Sequence, residues 1–196
     1  EGTGILIHPG EFLVAQMHYN TLSADPAADQ SVIELAFADE VPRPAMALPF
    51  TDPGWVTKGA LGEPMTIPAG AAEVTHTTSL TYADGEAGLF QGYLAEVLGG
   101  LGVAEGAPFL VHLAGGHMHQ LGRREVISVT KADGEDVCLV DIPDWDFGWQ
   151  GGYTFAEPML VEAGDTLHLS CTWDNSAANQ VYVDGVQQAP RDVQWG

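Results

Sequence analysis

The chain has 196 residues, 45% hydrophobic and 17% charged, which is typical of one large globular β domain, or one domain with part of another, and argues against disorder. Its formal net charge of −21 disfavours nucleic acid and anionic membranes as partners. No apolar run is long enough to span a bilayer, so no membrane insertion is expected, and no signal peptide opens the sequence.

The first forty residues predict two strands. The opening EGTGILIHPG reads like the interior of a protein, so we expect a portion of a longer one. Residues 11–20, EFLVAQMHYN, and residues 31–38, SVIELAFA, are apolar and β-prone, and a polar stretch separates them. Together they predict a hairpin with a long loop. Residues 40–55 contain four prolines and are predicted to be an irregular linker or edge passage.

One short helix is predicted among the strands. Residues 62–82 begin with turn residues and continue as an alternating strand. Apolar residues then recur at helical spacing, at Phe90, Tyr93, Leu94, Val97 and Leu98. Asp84 is a suitable helix cap, and Gly99 and Gly100 would end the helix, so we predict it around residues 86–98.

The remainder of the chain predicts further strands. Apolar, β-prone runs cover residues 107–115, 117–131 and 136–142, and Asp133-Gly134 is a favourable hairpin turn. Another long strand follows the turn at residues 163–165. Many short strands with Gly and Pro turns predict an all-β fold, an antiparallel, jelly-roll-like β-sandwich.

The aromatic stretch WDFGWQGGYTF, residues 145–155, is broken by glycines. Its large side chains predict core and edge packing, with a wall of a substrate cleft as the alternative. Gln150 would supply a polar contact in either case. Two cysteines, Cys138 and Cys171, are too few for a disulfide framework, and they form either one bridge or two buried free thiols.

Residues 112–119, HLAGGHMH, hold three of the seven histidines. In an extended strand His117 and His119 would point to the same face, where neutral imidazoles are common metal ligands. Gly115, Gly116 and Gly122 would let backbone pack closely around them. Spacing alone favours a metal site no more than hydrogen-bonded surface histidines. Isolated strand histidines, such as His76 and His168, are more often structural than ligands.

Four segments together resemble a known family. HMHQLGR, DWDFGWQGGYTF, AGDTLHLSCTWDNS and the earlier FLVAQMHYN occur in the order found in the copper type II, ascorbate-dependent monooxygenases. That family includes peptidylglycine α-hydroxylating and dopamine β-monooxygenases, and the similarity is to its bacterial relatives. It extends over nearly the whole chain.

The resemblance implies a copper enzyme. Such enzymes carry two mononuclear coppers on two β-sandwich domains, and the copper that reacts with O₂ is held by a His-x-His pair and a methionine. His117 and His119 match that pair, as metal ligands and catalytic residues. The electron-storing copper is bound by three histidines, the last in a Q-x-H-Y strand that matches His18. Ascorbate supplies electrons for hydroxylating a C–H bond of a small-molecule or peptide substrate.

The resemblance also implies an organisation. Residues 1–44 would be the end of the family's first domain, and residues 45–196 the copper-binding domain. A missing domain of the same protein would be a partner, and the location would be extracellular or periplasmic.

The sequence departs from the family at three points. None of the five methionines lies in the context of the family's thioether ligand: Met17, Met46, Met65, Met118 and Met159. Strand alternation directs Met118 away from its two neighbouring histidines. The adjacent histidine pair of the first domain is absent, and Cys171 matches a cysteine whose usual disulfide partner is also absent.

Three interpretations remain open. The first is the C-terminal portion of a copper monooxygenase, in which one copper is completed by water or by a ligand from outside the chain. The second is a metal-binding β-sandwich module that does not hydroxylate. The third is a structural β-sandwich without metal.

Overall fold

The computed structural model describes residues 2–17, 28, 30–82, 99–100, 104 and 106–195. The chain divides into two compact units, Glu1–Leu48 and Pro49–Gly196, where the sequence predicts a boundary between residues 44 and 45. The assignment of the two parts to the family's domains stays a prediction.

The first unit contains little regular structure among its described residues. Strand β1 (Thr3–Gly4) pairs in parallel with β2 (Arg43–Pro44). Residues 11–17 and 31–38, predicted as strands, have no strand pairing, and their large apolar side chains are exposed. A hairpin without a third strand or a packed helix buries too little apolar surface to be stable alone, which explains the difference. The predicted loop, with His18, falls largely outside the described residues.

A four-stranded antiparallel sheet forms the centre of the second unit. Its strands, in spatial order, are β4 (Val74–Thr81), β9 (Thr166–Trp173), β6 (Gly122–Thr130) and β7 (Asp136–Ile142). A second antiparallel ladder joins β5 (Phe109–Gly115) to β8 (Gly152–Val161). The fold class is therefore all-β, as the sequence predicts.

Short elements complete the second unit. Two further antiparallel pairs join β3 (Thr66–Ile67) to β12 (Val193–Gln194) and β10 (Tyr182–Val183) to β11 (Val186–Gln187). A 3₁₀ turn spans Ala177–Asn179. The predicted helix around residues 86–98 lies outside the described residues. No helix in the described ranges is long and apolar enough to cross a membrane.

Helix α1 (Pro53–Val56) lies in the proline-rich passage that the sequence predicts to be irregular. Asp52 caps it, because its Oδ1 accepts a hydrogen bond of 2.7 Å from the amide of Gly54. Pro53 suits the first turn, where a backbone N–H has no helical partner. The four-residue helix places Trp55 in the core.

The main core cluster lies on one side of the four-stranded sheet. Its buried members are Trp55, Met65, Ile67, Met118, Trp145, Leu169, Cys171 and Trp173. His76 packs edge-on between Trp55 and Trp173, with ring centroids 5.9 and 5.8 Å away. Its Nε2 lies 2.9 Å from the carbonyl oxygen of Thr66. His76 is therefore a structural histidine.

A buried asparagine ties the C-terminal segment to β3. The Nδ2 of Asn175 donates to the carbonyl oxygens of Ile67, Pro68 and Arg191 at 2.8–3.0 Å. Its Oδ1 accepts a hydrogen bond from Gln180. Every polar atom of this buried side chain is thus satisfied, as a stable interior requires.

A buried ion pair joins the β6–β7 turn to the β8–β9 turn. Asp165 is buried and pairs with Lys131, and its carboxylate also accepts hydrogen bonds from the amides of Ala132 and Glu162. Burial alone would raise the pKa of Asp165, but these hydrogen bonds and the Lys131 charge outweigh it and lower the pKa. The pair therefore contributes stability above the ordinary aspartate pKa and loses it as pH falls.

We predict that Asp165→Asn destabilises the fold by about 3 kcal/mol at pH 7, because Lys131 would keep a charge without its partner. The measurement is urea unfolding of wild type and variant from pH 7 down to pH 3. The difference should shrink toward acid pH as Asp165 becomes protonated. Asp144→Asn, at an exposed position, is the control and should change stability little. A difference independent of pH would contradict this account.

Candidate metal centre

His117 and His119 lie between β5 and β6, just before the turn in which the amide of Gly122 donates to the carbonyl oxygen of His119 at 2.9 Å. The predicted strand over 117–131 thus begins only at Gly122. The alternation of side-chain directions nevertheless continues through residues 117–119. Both histidines are exposed, whereas Met118 between them is only 3% exposed and belongs to the core cluster. The sequence prediction that Met118 points away from the pair is confirmed.

Three glycines shape this segment, as the sequence predicts. A Cβ on Gly115 would lie 2.8 Å from the carbonyl oxygen of Gly151, and one on Gly122 would lie 2.8 Å from the Trp145 ring. A Cβ on Gly116 would overlap the carboxyl group of Glu125, with Oε1 at 2.6 Å and Oε2 closer. A side chain at Gly115 would therefore push against the Gly151 backbone, and side chains at Gly122 and Gly116 would push against Trp145 and Glu125.

The two imidazole rings are close enough to share one ion. Their centroids are 5.1 Å apart, and the ring planes cross at 87°. A metal bonded at about 2.0 Å to one nitrogen of each ring would hold ring centres roughly 5 Å apart at a near-tetrahedral angle. Imidazole nitrogens are good copper ligands, so the two histidines are suited to supply two ligands to one copper ion.

Gln150 fixes the orientation of His117. The Nδ1 of His117 lies 2.6 Å from Gln150 Oε1, and Gln150 Nε2 donates to the carbonyl oxygen of Phe147 at 2.9 Å. Because the amide nitrogen faces a carbonyl, Oε1 is the acceptor, and Nδ1 carries the proton. This leaves Nε2 of His117 as the nitrogen with a free lone pair, an arrangement typical of metal-binding histidines.

The aromatic stretch forms a wall beside the histidines. The Phe147 ring lies edge-on to His119, with centroids 6.0 Å apart. Only Trp145 packs in the core, whereas Phe147, Trp149 and Tyr153 are exposed, Trp149 to 76%. The core part of the predicted core and edge packing is thus wrong for Phe147, Trp149 and Tyr153, and it holds for Trp145. The glycines and the Asp146 turn keep residues 146–151 out of any strand.

An open recess of about 490 Å³ lies beside Phe147. Its lining consists of Gln120, Gly122 and Arg123 together with residues 144–148. Phe147 borders both the recess and His119. The volume is in the range of small-molecule sites.

The other described histidines of the second unit do not join the pair. His168 bridges Ser79 and Thr130 through its two ring nitrogens, at 2.7 and 2.9 Å, and is structural. His112 is exposed in β5 at a register shift. In the part of the chain that the structure describes, no group of three or more His, Cys, Asp or Glu side chains could hold a metal. His18 lies outside that part.

No methionine is assigned as a thioether ligand. Met65 and Met118 are buried in the core, and Met17 and Met46 belong to the first unit. Met159 lies in β8 opposite Val111, away from the β5 end that leads to the histidines. The described residues of the second unit thus place no thioether beside the two imidazoles.

Glu125 is a buried acid that sequence reasoning missed. It lies in β6, is only 4% exposed, and its Oε2 has no hydrogen-bond partner in the described structure. Burial raises its pKa to about 7. Gly116 is the feature of the sequence that could have indicated this acid, because a glycine beside the candidate ligand His117 allows another group to approach the backbone closely.

The cysteines do not pair with each other. Cys138 is exposed on β7, and Cys171 is buried on β9, with β6 between them, so both are free thiols. Burial, with a further contribution from the Glu125 charge, raises the pKa of the Cys171 thiol to about 12. This thiol is unreactive at neutral pH.

Comparison of the sequence with protein-family models and with curated proteins gives no match.

We predict that Gln150→Ala weakens metal binding at the pair about tenfold, because His117 loses the acceptor that orients its ring. The measurement is Cu(II) affinity by competition with a chelator. Gln120→Ala, an exposed glutamine in the same segment as the histidines, is the control. Equal affinity of the Gln150→Ala variant and wild type would show that the hydrogen bond does not orient a ligand.

Proposed function

We propose that this chain binds one copper ion through His117 and His119 and forms the copper-binding part of an ascorbate-dependent monooxygenase. The observation that supports it is the exposed, perpendicular ring pair, 5.1 Å apart, with Gln150 on the Nδ1 of one ring. The sequence resemblance supports copper over zinc at this pair.

At such a site, Gln150 and Met118 would have different roles. Gln150 keeps the proton of His117 on Nδ1 and thereby keeps Nε2 available as a ligand. Met118 anchors the segment in the core, so both imidazoles face solvent. When bound, copper would supply the O₂-dependent oxidation of a substrate C–H bond, with ascorbate as the electron donor.

The recess beside Phe147 is the proposed position of the substrate. It combines aromatic surface with an amide, a guanidinium and carboxylates from Gln120, Arg123, Asp144 and Asp146. Such a mixed lining suits a small molecule or a peptide.

A second candidate is a metal-binding module without hydroxylase activity. It is favoured by the described residues of the second unit, in which two imidazoles come together and Met65 and Met118 are buried in the core. Reaction with ascorbate and O₂ distinguishes the two candidates.

The first prediction concerns binding. We expect one equivalent of Cu(II) to give a nitrogen-ligated EPR spectrum that is lost in the double variant His117→Ala/His119→Ala. The control is His112→Ala, which removes an exposed histidine five positions before the pair and should leave the spectrum unchanged. A spectrum that survives the double variant would rule out the proposed site.

The second prediction concerns redox chemistry. We expect ascorbate to abolish the Cu(II) EPR signal and O₂ to restore it, while product forms slowly or not at all, because hydroxylation needs two electrons and one copper stores one. The measurement pairs EPR with O₂ consumption and product analysis on the same sample. A Cu(II) signal that ascorbate leaves intact would favour the non-catalytic module. Coupled hydroxylation over many turnovers would contradict the need for a second copper.

A further inference from the structure

Glu125 lies directly under the segment that carries the histidines. Its side chain lies on the core face of β6, and its carboxyl group occupies the space that a Cβ on Gly116 would fill. Gly116 immediately precedes His117. The carboxyl group is thus in contact with the backbone next to one proposed ligand, on the side facing the protein interior.

The surroundings of Glu125 leave one of its two carboxylate oxygens, Oε2, buried without a hydrogen-bond partner among the described residues. In the cross-strand row, its neighbours are Cys171 on β9 and Ile142 on β7, and His76 lies one strand further, on β4. The Cys171 thiol is neutral, and the Nε2 of His76 is engaged with the Thr66 carbonyl. In the segment above it, the titratable groups are His117 and His119. No described cation or donor contacts Oε2.

A buried carboxylate without a partner is costly, so its retention in the core calls for a compensating interaction. The neighbouring core cluster is otherwise built from large apolar side chains. The proposed metal position lies on the same backbone segment, because His117 directly follows Gly116, against which the Glu125 carboxyl group packs. Charges separated by a thin layer of protein interact more strongly than charges separated by water.

We propose that Glu125 is a positioning residue of the metal site, which holds the His-x-His segment through Gly116 and compensates the charge of the bound metal from the core side. This inference rests on the proposed metal site at His117 and His119. Ionised Glu125 favours the metal-loaded form, so metal binding is accompanied by release of its proton.

The test is Cu(II) affinity from pH 6 to pH 8 in wild type and Glu125→Gln, which keeps the shape and removes the charge. At pH 6 we expect affinities within about twofold, because Glu125 is largely protonated. At pH 8 we expect the variant to bind roughly tenfold more weakly. Glu157→Gln removes one exposed carboxylate on β8 and should follow wild type at both pH values.

Metal-free stability gives a second readout. The folded-state pKa of Glu125 is raised from 4.5 to about 7, so ionisation destabilises the metal-free fold as pH rises through this window. The Glu125→Gln variant should not lose stability between pH 4.5 and about 7 for this reason, because its side chain does not ionise. Gly116→Ala should change the copper EPR spectrum at every pH, because the added Cβ would force the Glu125 carboxyl group and the Gly116 backbone apart. If Glu125→Gln does not fold, Glu125→Met is the second uncharged variant.

The two proposals fail in different ways. Copper binding that is indifferent to His117 and His119 would remove the proposed function. Binding that requires both histidines, with parallel pH profiles in wild type and Glu125→Gln, would overturn only the role of Glu125.

Discussion

The burial of Met118 is the constraint on which the candidate site depends. Its side chain packs with Trp145 and other core residues, and this fixes which way the backbone faces on either side of it. Because neighbouring side chains alternate in extended backbone, an inward Met118 turns His117 and His119 outward together. The hydrophobic effect thus orients two polar groups that make few contacts of their own.

The loop of residues 146–151 has no regular structure, and the buried Trp145 at its start holds it beside the histidines. Trp145 is buried, and its amide donates to the carbonyl oxygen of Arg123, which fixes the start of the loop to β6. The Gln150 side chain then returns to the Phe147 carbonyl, which closes the loop on itself. Phe147 and Gln150 are thereby held beside the histidines. Functional groups on loops that a rigid scaffold positions are common in proteins.

The local sequence pattern was enough to predict much of the fold, whereas the remaining features depend on contacts between residues that are distant in sequence. Strand alternation and turn residues predicted the all-β class, the outward histidines and the inward Met118. The same reasoning failed for residues 11–17 and 31–38, because apolar alternation forms a strand only where a partner is available. The His-x-His pair was visible in the sequence, since its members are two residues apart.

Other parts of the site depend on distant contacts that no single sequence displays. Gln150 is 33 residues from His117, and nothing in its neighbours specifies that it should reach an imidazole. Glu125 alternates like a residue that faces the core, but glutamates are rarely buried, so its burial does not follow from the sequence alone. The aromatic residues after Trp145 suggested core and edge packing, and only the three-dimensional structure shows that Phe147, Trp149 and Tyr153 are exposed.

The openness of the histidine pair has a kinetic consequence. Two exposed imidazoles on a chain of net charge −21 would be reached quickly by hydrated cations, because the protein's field concentrates them at its surface. An ion bound there as proposed would stay open to solvent on the side away from the protein, because both imidazoles are exposed. The lifetime of that bound state would then be set by any additional ligand that completes the coordination.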